Sequence, residues 1–126
     1  MTGNNYGFRF KDWPAYKEAR EFRKKCKKII NGFPKEEKYS LTNQVSRALD
    51  SIILNIAEGA NKSSDKDTRL YINRALCSLD EVIAGFDCAL DDKYIGHNTV
   101  DETLKNAENL AKQLNKFQNY LKSVRD

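Results

Sequence analysis

Five residues at helical spacing, Gln44, Arg47, Ser51, Asn55 and Glu58, combine two carboxamides, a guanidinium, a hydroxyl and a carboxylate. At 100° per residue they share one helix face about 80° wide. Both charge signs and several donors and acceptors in one row can satisfy one another along a partly buried seam. The other reading is an ordinary solvated face. The row ends in Asn55-Ile56-Ala57-Glu58-Gly59, two polar groups closing a very apolar run. Burying such groups is costly unless something specific pairs with them. Glu58 falls in a last turn, where the helix dipole disfavours a carboxylate. A cation or donor outside its own helix would account for it, and the expected role of the row is structural.

Other residues could carry chemistry of different kinds. Lys17, Arg20, Lys24, Lys27 and Lys28 fall on one side of a first helix, and Lys105, Lys112 and Lys116 on one face of a fourth. Such rows attract phosphates through a salt-sensitive, sequence-independent term, or are simply solvated. Asp80, Asp87 and Asp91 share a face of the third helix, and carboxylates can bind Mg²⁺, but no further ligand set accompanies them. A bundle di-iron site needs Glu-x-x-His pairs, and the chain's one histidine, His97, is expected in the loop before the fourth helix. There is no P-loop, no Gly-x-Ser-x-Gly and no local Cys–His couple. The expectation is no catalytic residue, no metal and no cofactor, hence no enzyme. Cys26, Cys77 and Cys88 are odd in number, lack C-x-x-C spacing, and are expected in or near a core as small hydrophobes.

The elements that must position these residues follow from caps and stripes. The class is all-α, an up-down-up-down antiparallel four-helix bundle with helices at about 13–31, 41–58, 65–92 and 99–124. Asp12 and Pro14 open the first helix, and Ser40 caps the second. Ser64 with Asp67 and Thr99 with Glu102 make capping-box starts for the others. The second helix, with Leu41, Val45, Ala48, Leu49, Ile52 and Ile56, widened by Ile53 and Ala57, should be the most enclosed. Leu70, Ala75, Leu76, Leu79, Val82, Ile83, Phe86 and Leu90 form the third stripe. Val100, Leu104, Ala107, Ala111, Leu114, Phe117, Leu121 and Val124 form the fourth. At 126 residues one domain is expected, residues 12–126, preceded by an arm, residues 1–11. In that arm Tyr6, Phe8 and Phe10 alternate as in an extended segment. No run approaches a membrane span, and no signal-peptide pattern opens the chain, so a cytoplasmic protein is expected. The net charge of +4 is unevenly spread, basic at both ends and acidic in the middle.

With these residues in place, the chain resembles the bacterial four-helix-bundle proteins encoded within intervening sequences of large-subunit ribosomal RNA. The resemblance rests on Phe33-Pro34 with Glu37 and Leu41, on Gln44 and Arg47, and on Ser51-Ile52 followed by Asn55 to Gly59. Ala75-Leu76, Ser78-Leu79 and Glu81 extend it, as does the opening Phe10-Lys11-Asp12. Departures from the family pattern are Ile53 where a proline is usual, Tyr16 for a tryptophan, Cys77 for a glycine, and Ala60-Asn61-Lys62 for a glycine-arginine pair. The resemblance implies a homopentameric ring or barrel and no enzyme activity. It also implies a relationship to accessory variability determinants of diversity-generating retroelements, which bind nucleic acid and a reverse transcriptase. The resulting expectation is a non-enzymatic oligomer that binds nucleic acid, RNA before DNA, through basic helix surfaces. The alternative is a protein-interaction scaffold or accessory factor for a reverse transcriptase.

Overall fold

A computed structural model of the chain describes residues 4–124, apart from the side chain of Val124. Residues 1–3 of the expected arm and the Val124 side chain therefore lie outside the described residues. Four helices make the fold: α1 (Pro14–Ile30), α2 (Leu41–Gly59), α3 (Asp65–Asp91) and α4 (His97–Val124). No strand occurs among the described residues. Each helix packs on its neighbours in sequence and α4 closes back on α1, while α1 and α3, like α2 and α4, face each other across the core without close backbone approach.

Paired residues set the directions. Arg23 meets Asp50 and Lys27 meets Ser46, so α1 and α2 run oppositely. Ser78 meets Ser51 and Thr68 meets Gly59, which does the same for α2 and α3. Gln118, near the end of α4, donates to the carbonyl of Arg69 near the start of α3.

The core is aliphatic and aromatic, with Phe22, Phe86, Ile30, Leu49, Ile52, Ile56, Ile72, Leu110 and Leu114 among its fully buried side chains. Fully burying one such residue stabilises by roughly 1.5–3 kcal/mol. The expected α2 stripe is buried at Val45, Ala48, Leu49, Ile52 and Ile56. In α3 the buried set shifts to include Thr68, Ile72, Gly85 and Ala89, while Leu70 stays 48% exposed. In α4, Leu110 and Thr103 are buried and Leu104 is exposed. Of the cysteines, Cys26 is buried, and burial pushes its thiol up to about 12. Cys77 and Cys88 are exposed, which corrects their expected place near the core. Both stand on the outward side of α3, where the core is already filled by the Leu79, Val82 and Phe86 face.

Glycine lets α2 and α3 approach closely. A Cβ at Gly85 would sit inside the radius of Val45 Cγ2, and one at Gly59 would fall 2.9 Å from Tyr71 Cβ. The helix ends depart from expectation in instructive ways. Ser40 precedes α2, but its hydroxyl makes no cap; it donates to Glu37 Oε1 at 2.6 Å, and the Leu41 N–H donates to the same oxygen at 3.3 Å. The acceptor at this helix start is thus Glu37. Ser64 does cap α3, accepting from the Asp67 N–H at 3.2 Å. Lys93 takes a left-handed conformation (φ 65°), and the Tyr94 N–H closes on Ala89 O at 2.8 Å, ending α3 in a Schellman-like turn. α4 begins two residues before Thr99, so His97 is its first residue and not a loop residue.

The arm is not extended. Tyr6 and Gly7 turn the chain with positive φ, and Arg9–Asp12 form a 3-10 turn. Arg9 then donates to Ala60 O at 2.6 Å through Nη2, and the Phe10 ring meets Tyr16 edge-on at 4.9 Å. The alternating aromatics divide accordingly: Phe10 is half-buried, while Tyr6 and Phe8 are exposed.

Candidate nucleic-acid interface

The basic rows lie on the outer faces of two helices that pack side by side. On α1, Lys17, Arg20, Lys24 and Lys28 are exposed, as are Lys105, Lys112 and Lys116 on α4. Buried Ala19, Phe22 and Cys26 fix the inward direction of α1, and helical spacing then turns Lys17, Lys24 and Lys28 away from the core. Lys27 does not belong to the row. Its ammonium donates to Ser46 Oγ and lies 3.3 Å from Asp50 Oδ1, alongside Arg23 Nε at 2.8 Å. Burial pushes the Asp50 carboxyl up, but Arg23 and Lys27 outweigh it and hold it below the usual range. Lys27 is therefore a cross-brace between α1 and α2. Lys24 is partly engaged, 3.3 Å from Glu21, and the Arg20 guanidinium lies 5.9 Å from the Tyr16 ring centroid. Lys25, absent from the expected row, is also exposed and adds to the positive field of α1.

The polar row of α2 flanks α3 and has a half-buried, hydrogen-bonded middle and exposed ends. Asn55 Nδ2 donates to Ser51 O at 2.9 Å and to Ser51 Oγ at 3.0 Å, and Ser78 of α3 donates to the same Ser51 oxygen at 2.9 Å. These residues are half-buried, whereas Gln44, Arg47 and Glu58 are exposed. Gln44, Arg47 and Ser51 line an open, mainly polar hollow with Tyr39, Asn43 and Glu81. Glu58 finds its cation just beyond its helix, at Lys62 Nζ, 3.8 Å away. Glu58 is exposed and Lys62 half-buried, so the pair contributes about 0–1 kcal/mol.

Between the start of α1 and the end of α4 lies a groove of about 400 Å³, lined by Trp13, Pro14, Ala15, Gln113, Lys116, Phe117 and Tyr120. Trp13 and Phe117 meet edge-to-face at 4.7 Å, and Arg9 stands 5.9 Å from the Trp13 centroid. Gln113 Oε1 is buried without a hydrogen-bond partner. Phe117, expected in the core stripe, packs against the core and also lines this groove, which helical periodicity does not mark. Its local signal was Lys116-Phe117 with Tyr120 one turn on. The expected acidic row, Asp80, Asp87 and Asp91, is exposed on α3. No group of three His, Cys, Asp or Glu side chains among the described residues could hold a metal ion, and none of the described helices is long and apolar enough to cross a membrane.

The family model of the 23S rRNA-intervening sequence protein matches residues 11–116. The chain belongs to that family. The matched span holds all five residues of the α2 row and the whole of α1, α2 and α3, and stops short of Phe117 and Tyr120. No curated protein matches the chain. Among solved structures it resembles the 1.70 Å crystal structure of a protein of unknown function from the S23 ribosomal protein family of Bacteroides thetaiotaomicron VPI-5482, with a TM-score of 0.72 and 19% identity. That likeness covers 82% of this chain and 97% of the other, and at this identity it shows the fold of the intervening sequence protein alone.

Proposed function

We propose that this intervening sequence protein is a non-enzymatic, cytoplasmic RNA-binding protein that works as a homo-oligomeric ring, a pentamer. The observation that carries the reading is the pair of exposed basic faces on α1 and α4. Of Lys17, Arg20, Lys24, Lys28, Lys105, Lys112 and Lys116, only Lys24 has a carboxylate partner among the described residues. Side chains so placed are available to phosphates and displace counterions from them. A net charge of +4 is modest for one subunit, but several copies around a ring would concentrate the field. The exposed acidic face of α3, with Asp80, Asp87 and Asp91, would approach a basic face of the next subunit. A head-to-tail contact of this kind closes into a ring. DNA would be held by the same sequence-independent term.

Salt-titrated binding to a structured RNA and to duplex DNA tests the reading, with the oligomer mass measured in parallel. Steep loss of affinity with salt is expected; no binding even at low salt would end it. Unchanged mass for Asp87→Lys with Asp91→Lys in low salt would count against the ring contact. A second reading, a scaffold or accessory factor docking a protein such as a reverse transcriptase, is favoured by apolar side chains left in solvent away from the lysine rows, notably Tyr39 at 84%, Leu54 at 64% and Leu70 at 48% exposed.

A further inference from the structure

The α1–α4 groove differs from the rest of the basic surface. Its walls are mainly apolar, with aromatic rings on both sides: Trp13, just before α1, on one, and Phe117 and Tyr120 of α4 on the other. Its size falls in the range of ligand-binding clefts. Tyr120 is 60% exposed, so its ring is open to a partner. Lys116 stands at the groove, Lys112 lies one turn back along the same face of α4, and Lys17 is one turn on from Trp13 along α1, its N–H bonded to Trp13 O at 3.1 Å. Gln113 also lines the groove, and its Oε1 is buried without a hydrogen-bond partner.

We propose that this groove receives one unpaired base of single-stranded RNA, with adjoining phosphates held by Lys116, Lys112 and Lys17. The proposal rests on the nucleic-acid reading above and narrows it to a substrate class. Aromatic rings beside a cationic track are the recurrent device for holding single strands, because every base has a face to stack. The site is accordingly sequence-tolerant. In a duplex the base faces are stacked and the pairing edges occupied, so only the phosphate term remains.

Trp13 is the chain's one tryptophan, so its fluorescence reports directly on the groove. The full chain is titrated at low salt with a mixed adenosine–cytidine 12-mer of single-stranded RNA, its duplex, and an abasic oligomer of the same length. The single strand should quench Trp13 and bind about 5- to 100-fold more tightly than the abasic chain, the margin that one stacked base supplies. Tyr120→Ala, at an exposed position that the core does not need, should remove that margin and leave duplex binding unchanged. Lys116→Gln should lower the salt slope by about one. Single-strand binding equal to abasic and duplex binding, without quenching, overturns the groove while the basic-face reading stands. Failure of all three probes to bind overturns both.

Discussion

The two glycines at the α2–α3 contact give a prediction in which the rescue matters more than the damage. Gly85→Ala places a methyl against Val45 Cγ2, while the Val45 Cβ would be an ordinary 3.8 Å away. Val45 is β-branched, buried and helical, so it has few rotamers with which to move aside. Replacing a mid-helix glycine by alanine stabilises by about 1 kcal/mol, whereas overpacking a core costs about 1–3 kcal/mol. The net expectation is a loss of about 0–2 kcal/mol. Val45→Ala alone removes two buried carbons, about 1.6 kcal/mol of transfer energy before any cavity term. In the Gly85→Ala background it also removes the clash, so the double variant should be more stable than additivity allows by about 1 kcal/mol. Gly59→Ala behaves differently. Its new methyl meets Tyr71 Cβ at 2.9 Å and Thr68 O at 3.5 Å, atoms that no rotamer change can move. Tyr71→Ala keeps the offending Cβ and should therefore give no rescue. Urea unfolding followed by far-UV circular dichroism, at one fixed protein concentration, measures the parent, the four single variants and the two double variants. Gly85→Ala more stable than the parent by the full helical gain, with an additive Gly85→Ala/Val45→Ala double variant, would refute the close packing of α2 on α3.

Thiol labelling under native conditions should modify Cys77 and Cys88 quickly and leave Cys26 protected until unfolding, as their burial requires; rapid labelling of all three would refute this placement of α1. Hydrogen bonds from Ser40, Tyr94 and the Leu41 N–H lower the Glu37 pKa, and Asp50 is lowered by Arg23 and Lys27 against burial. Both contributions are present above the ordinary carboxylate range and lost as pH falls through the depressed folded values. Glu37→Gln and Asp50→Asn should therefore flatten the acid limb of the stability curve below about pH 4.5, and leave the chain less stable at pH 7. At the alkaline end the sign reverses. The hydrogen bond to Glu37 raises Tyr94 to about 12, so its contribution holds below about pH 10 and fades as pH approaches 12. Glu58→Ala should change stability by less than about 1 kcal/mol, since Glu58 itself is exposed and its contact with Lys62 is long, at 3.8 Å; a larger loss measured on the assembled protein would place Glu58 in a subunit contact.

How far the sequence can be read here depends on whether the deciding physics is local. Helix extents and the α2 stripe are legible because caps and periodicity act within one turn or two, and Ser64 with Asp67 is a case where the local rule holds in detail. Facing is harder where apolar residues surround a helix. In α3, Leu70 and Ile72 both fit a helical core, and only the position of α2 decides that Ile72 is buried and Leu70 is left in solvent. The aromatic groove has almost no local signal, because Trp13 and Phe117 are brought together only when α4 closes on α1.

The carboxylates of α2 make the same point in energetic terms. Position along the helix draws attention to Glu58, a negative charge in the last turn, the wrong end of the dipole. The residue that organises the helix is Glu37, four residues before it begins. There one carboxylate accepts from Ser40 and Tyr94 at 2.6 Å each and from the first N–H of α2. That position adds charge-assisted bonds to a favourable dipole, and it ties the start of α2 to Tyr94 in the turn after α3. Spacing could not choose between the two glutamates, because the partner that distinguishes them, Tyr94, lies 57 residues away. The motif around Glu58 therefore works chiefly through its other members. Ile56 fills the core, Asn55 holds Ser51 toward Ser78, and Gly59 admits Tyr71 while its carbonyl accepts the Thr68 hydroxyl at 2.9 Å. With the middle of that seam occupied in packing α2 on α3, the proposed phosphate contacts fall on the lysine rows of α1 and α4.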